Sequence, residues 1–125
     1  MSIQYKKILV TGGAGFLGKF VVKELIKNGI PESAINVPRA SEYDLRKWEI
    51  CQSVVQGVDL VIHMAAKVGG IGFNREKPGE LFFDNAIMGI QLMEAARLAG
   101  VKKFVGLGTI CAYPKFTQVP FEENA

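Results

Sequence analysis

The 125-residue chain has only two cysteines, Cys51 and Cys111, and a single histidine, His63. The cysteines lack CxxC spacing, so the pattern argues against both a disulfide scaffold and a zinc site, and no metal is expected. No run of eighteen apolar residues occurs, which argues against a membrane-spanning helix. Basic residues form no block and the net charge is a mild +3, so nucleic acid is not an expected partner. The first seven residues, MSIQYKK, lead straight into a strand-like run and lack the layout of a signal peptide. The expectation is a cytoplasmic protein. Repeats, low-complexity segments and linkers are also absent, so residues 1–125 read as one unit.

What is present is an alternation of strand-like and helix-like runs. Lys7-Ile8-Leu9-Val10-Thr11 reads as a first strand, followed by a glycine-rich turn from Gly12 to Gly18. Phe16, Leu17, Phe20, Val21, Leu25 and Ile26 then recur at helical spacing, and Asn28-Gly29 ends that helix. Ala34–Val37 is a short second strand closed by Pro38. Asp44 is placed to cap a helix over about Leu45 to Gln56, with Trp48 and Val55 facing the core and Gly57 ending it. Val58–Met64 is apolar on nearly every residue, as in a strand covered on both faces. Gly69, Gly70 and Gly72 suggest a flexible loop. Pro78-Gly79 opens a long helix to about Ala99, whose apolar surface is wider than one face requires, and Lys103–Gly108 is a fourth strand. Strands alternating with helices in this way predict a doubly wound α/β fold, a parallel sheet of Rossmann type. Right-handed crossovers bring the glycine turn, the His63–Gly72 region and the Thr109–Pro114 region to one sheet edge, where such folds bind ligands.

The turn Thr11-Gly12-Gly13-Ala14-Gly15-Phe16-Leu17-Gly18 fits three motifs. Gly13-x-Gly15-x-x-Gly18 is the dinucleotide fingerprint, and Gly12-x-x-Gly15-x-x-Gly18 is the variant register of short-chain dehydrogenases/reductases. Gly13-x-x-x-x-Gly18-Lys19 approaches a P-loop but puts Phe20 where a magnesium-binding hydroxyl belongs, which disfavours a nucleoside triphosphatase. A dinucleotide is the favoured ligand. Glycines let the backbone approach a pyrophosphate, and the helix start offers free N–H groups. The end of the second strand reads Val37-Pro38-Arg39-Ala40-Ser41, with no carboxylate before Glu42. Arg39 and Ser41 suit a ribose 2′-phosphate, which points to NADP(H) rather than NAD.

The segments VTGGAGFLG, Ser41-Glu42-Tyr43-Asp44-Leu45, His63-Met64-Ala65-Ala66-Lys67-Val68-Gly69-Gly70-Ile71 and LGTICAYPK together resemble the GDP-L-fucose synthase family, extended short-chain dehydrogenases/reductases. The resemblance runs from about Ile8 to Glu123. It implies NADPH-dependent conversion of GDP-4-keto-6-deoxy-mannose to GDP-L-fucose, by epimerisation beside the ketone and then hydride reduction. It implies that Thr109 hydrogen-bonds the 4-keto oxygen and that Cys111 exchanges protons at the epimerised carbons together with a histidine. It gives Asp44 and Leu45 to the adenine, and Ala65, Ala66 and Lys67 to the ribose and nicotinamide, beside Gly12, Gly15, Phe16, Leu17 and Gly18 of the turn, which are expected to bind the same cofactor. Asn85 matches a position that supports the active site, while His63 reads as structural. The superfamily's Tyr-x-x-x-Lys has no counterpart in the expected place. Tyr43-x-x-x-Lys47 has the letters but falls in the adenine region. The chain is thus expected to be an N-terminal dinucleotide-binding portion without a substrate domain, inactive by itself, either a shortened gene product or a stand-alone half-domain. A GDP-sugar would bind only in the complete enzyme. A homodimer or larger assembly is expected from the wide apolar helix and the exposed last strand, and residues 116–125 are expected to be mobile. An NAD-dependent sugar-nucleotide epimerase/dehydratase and a non-catalytic NADP-binding or assembly module are the competing readings.

Overall fold

Four short parallel strands carry the chain in the computed structural model, which describes residues 5–124. They are β1 (Ile8–Thr11), β2 (Ile35–Asn36), β3 (Leu60–His63) and β4 (Lys103–Gly106). Their order across the sheet is β2-β1-β3-β4. Ile8 pairs with Ile35 on one side of β1 and with Leu60 on the other, and Leu60 pairs with Lys103. The helices are α1 (Phe16–Lys27), α2 (Trp48–Val54), α3 (Ile71–Glu76) and α4 (Pro78–Leu98). This is the expected doubly wound architecture, and the strand order reverses direction between β1 and β3, the point where such sheets open a crevice.

Alternation along the strands builds two cores. Leu9 and Val61 face α2 and α4, in a cluster with Cys51, Val55, Leu92, Ala95 and Ala96. Ile8, Val10 and Leu60 face the other way, against Leu25 and Ile30 after α1. The sheet is therefore apolar on both surfaces, which explains the near-continuous hydrophobic letters of β1 and β3. Cys51 is fully buried, and its thiol donates to the Leu45 carbonyl at 3.1 Å.

Three local expectations are corrected. Asp44 does not cap a helix. Its carboxylate accepts the backbone N–H of Arg46 at 3.1 Å and both the Nε and Nη2 of the same residue, at 2.9 and 3.0 Å. That local bond competes with capping, and α2 starts only at Trp48 and ends at Val54, within the expected Leu45–Gln56 span. The glycine tract is not loop throughout, because Gly70 precedes α3 and Asn74 Nδ2 ties that turn to the Gly69 and Gly70 carbonyls. The fourth strand ends at Gly106 rather than Gly108, although the Leu107 N–H still reaches the His63 carbonyl at 3.0 Å. In the last segment, Lys115-Phe116 and Glu123-Asn124 form turns within irregular chain, and the rings of Tyr113 and Phe121 stack with centroids 4.6 Å apart. Residues 1–4 and 125 lie outside the described residues.

Candidate functional site: a dinucleotide cavity at the strand ends

The turn after β1 is shaped by contacts that only glycine permits. Gly12 has φ +72°, and a Cβ there would lie 2.8 Å from the backbone of Met64 and Ala65 at the exit of β3. At Gly18 a Cβ would stand 2.1 Å from the Gly12 carbonyl oxygen, so the first turn of α1 packs directly on the loop. The result is that α1 starts at the floor of the crevice, with no acidic residue in its first turn to compete for an anion.

Thr11 closes the same floor from below. Its Oγ1 lies 3.2 Å from the N–H groups of both Met64 and Ala65, and 2.7 Å from His63 Nδ1. Two N–H donors occupy the lone pairs of the hydroxyl, so its proton goes to the imidazole. His63 is thereby held neutral with Nδ1 as acceptor, and burial pushes its pKa down in the same direction. His63 is the last residue of β3.

A cavity of about 860 Å³ opens above this floor. The size suits a cofactor. One wall is the glycine turn, with Gly12, Gly15, Phe16, Leu17 and Gly18. A second is the loop after β2, with Arg39, Ser41, Tyr43, Asp44, Leu45 and Arg46. A third is the segment after β3, with Ala65, Ala66 and Lys67. Every residue that the sequence assigned to the cofactor, Ser41 included, lines this one cavity. Thr109 and Cys111 do not. They follow Leu107, which does line it, and both are exposed. The Cys111 N–H donates to Thr109 Oγ1 at 3.2 Å, so the hydroxyl closes a local turn.

The electrostatics of the walls centre on a residue that the sequence reading passed over. Asp84, on α4, is only 5% exposed. Lys67 Nζ approaches its Oδ2 at 2.8 Å, and Arg46 Nη1 lies 3.3 Å from both its oxygens. The Lys67 ammonium, and then Arg46, hold the Asp84 carboxyl below the usual carboxylate range. Asp44 is held low by the same guanidinium. Lys67 also pairs with Glu80, and its backbone is held at both ends by Asn85, which accepts from its N–H at 2.7 Å and donates to its carbonyl at 2.9 Å. Asn85 thus supports the loop beside the cavity. A charged residue inside the apolar letters LFFDNAIM was the available signal for Asp84, since a carboxylate there needs buried partners. Arg39 sits at the exposed lip of the cavity and forms no ion pair among the described residues.

A parallel sheet with a glycine cradle at its switch point and a cleft beyond it defines a dinucleotide-binding α/β protein of the Rossmann type. The chain belongs to the NAD dependent epimerase/dehydratase family, whose sequence pattern matches residues 8–125. It is 31% identical to a GDP-mannose 3,5-epimerase of Arabidopsis thaliana over 90% of this chain and 33% of that protein. It is 33% identical to GDP-L-fucose synthase 1 of the same plant, over all of this chain and 39% of that one. Among solved structures, the GDP-L-fucose synthetase of Naegleria fowleri bound to NADP superposes with a TM-score of 0.78 at 27% identity, over 99% of this chain and 38% of that chain. The chain spans little more than a third of the length of these relatives. Among the described residues no helix is long and apolar enough to cross a membrane.

Proposed function

We propose that these residues form the NADP(H)-binding part of a GDP-sugar epimerase-reductase of the GDP-L-fucose synthase kind. The observation that carries the reading is the convergence of the glycine cradle, the adenine-side loop and the Ala65–Lys67 segment on one cavity. The cradle fits a pyrophosphate because its glycines let the turn pack tightly on the exit of β3 and on the first turn of α1, which brings the helix N-terminus to the cavity. Asp44 and Leu45 would meet the adenine, Arg39 and Ser41 the 2′-phosphate, and Ala65 to Lys67 the ribose and nicotinamide. The preference for NADP over NAD rests on Arg39, a cation at the cavity lip with no carboxylate partner among the described residues. When bound, the cofactor supplies or accepts hydride. In the complete enzyme a GDP-sugar would approach from the Thr109–Cys111 side, Thr109 holding the ketone oxygen and Cys111 moving protons on neighbouring carbons. We place the protein in the cytoplasm and expect it to self-associate.

A second reading, an NAD-dependent sugar-nucleotide epimerase, is favoured by the similarity to GDP-mannose 3,5-epimerase. Calorimetric titration of the chain with NADP and NAD separates the two. Tighter binding of NADP, weakened in Arg39→Ala and unchanged for NAD in that variant, supports the first reading. Preference for NAD supports the second, and binding of neither overturns both.

A further inference from the structure

Two cations from opposite walls of the cavity meet on one carboxylate. Arg46 belongs to the loop after β2 and Lys67 to the segment after β3, 21 residues apart in sequence by their numbering, and both reach Asp84 on α4. We propose that Asp84 is a positioning residue that ties these walls together, so that Arg46 and Lys67 act on a bound dinucleotide as a coupled pair. The inference rests on the dinucleotide-binding reading above.

The arrangement is costly unless it holds something. Glu80 and Asp84 stand one helical turn apart on α4, a like-charge spacing that destabilises a helix. Lys67 Nζ bridges the two and relieves that repulsion. Asp84 is nearly excluded from water, and a carboxylate there is tolerated only with cations on it. Arg46 has all three guanidinium nitrogens committed, Nε and Nη2 to Asp44 and Nη1 to Asp84. Its carbonyl is in turn held by Gln91 Nε2 at 3.0 Å, so α4 grips the adenine-side loop at two points. The backbone of Lys67 is gripped by Asn85. One helix therefore sets the positions of both walls, and Asp84 is the only one of these side chains that touches both loops among the described residues. Without its charge, the two cations that flank Asp84 would lose the carboxylate they share, leaving Arg46 with Asp44 and Lys67 with Glu80.

The test is NADP affinity, by calorimetry, in the chain and in Asp84→Asn, Arg46→Met, Lys67→Met and the Arg46→Met/Lys67→Met double variant. Asp84→Asn is expected to retain its circular dichroism and to bind NADP about tenfold more weakly, the scale of a lost charge-assisted contact. The Arg46 and Lys67 losses are expected to be non-additive by at least about threefold, and to become additive in the Asp84→Asn background. A purely structural role for Asp84 would lower thermal stability without producing that coupling. Unchanged NADP affinity in a folded Asp84→Asn variant, or independent losses at Arg46 and Lys67, overturns the proposal. Should Asp84→Asn fail to fold, the cycle between the two cations decides alone. If the unaltered chain binds neither NADP nor NAD, the dinucleotide reading falls and this inference falls with it. If it binds and the cycle is additive, only this inference falls.

Discussion

Gly18 and Thr11 show how single atoms set the cleft. A methyl group at Gly18 would fall 2.1 Å from the Gly12 carbonyl oxygen, a backbone atom that cannot rotate away. Gly18→Ala should therefore push α1 off the turn, at a cost of about 1–3 kcal/mol or more. Urea unfolding should report that loss, and NADP titration should report lost binding. At His63 the sign of the pH dependence follows from burial. The folded imidazole has a pKa below the ordinary 6.5, so between the two values the unfolded chain holds the extra proton. Stability is thus fully present above pH 6.5 and is lost as pH falls through that window. Protonation would also turn Nδ1 into a donor facing the Thr11 hydroxyl, whose lone pairs already serve two N–H groups. His63→Gln, which accepts without titrating, should flatten the decline in melting temperature between pH 7 and pH 5. The aspartates held low, Asp44, Asp59 and Asp84, act in a separate window, losing their contribution only as pH drops below 3.8.

Elements were legible where local chemistry decides them. The first strand, its glycine turn and α1 follow from eleven neighbouring letters and a helical period. The Asp44 cap misread a competition that ends two residues away, at Arg46, and the short helix α3 was hidden by the glycines before it. The cofactor cavity was legible because each wall follows a strand end. Asp84 was not, since its partners lie 38 and 17 residues distant and no local pattern joins them. On α4 the width of the apolar surface was visible in sequence, and it persists in the fold. Phe82 is 77% exposed and Phe83 62%, with Ile90, Met93 and Leu98 also open. Such a face favours association with a second apolar surface. Phe82→Ser/Phe83→Ser should shift the chain toward monomer in light scattering at micromolar concentration, and a monomeric unaltered chain would contradict the proposed self-association.

At the scale of the whole molecule, a cofactor cleft and a chemical step are separable. The 125 residues supply a hydroxyl and a thiol beside the cleft and no Tyr-x-x-x-Lys in the position expected for hydride chemistry. The chain by itself should consume no NADPH with GDP-4-keto-6-deoxy-mannose, and measurable turnover would refute that. The two cores also differ in depth. Among the described residues the α2–α4 side buries ten in its cluster and the α1 side five, while Phe16, Phe20 and Ile26 of α1 stay open to water. Local opening should therefore be unequal. Amide hydrogens of α1 should exchange with solvent deuterium well before those of β1, β3 and α4. Because the start of α1 is also the anion-facing end of the cradle, a bound dinucleotide would slow exchange most in the thinly packed half of the molecule.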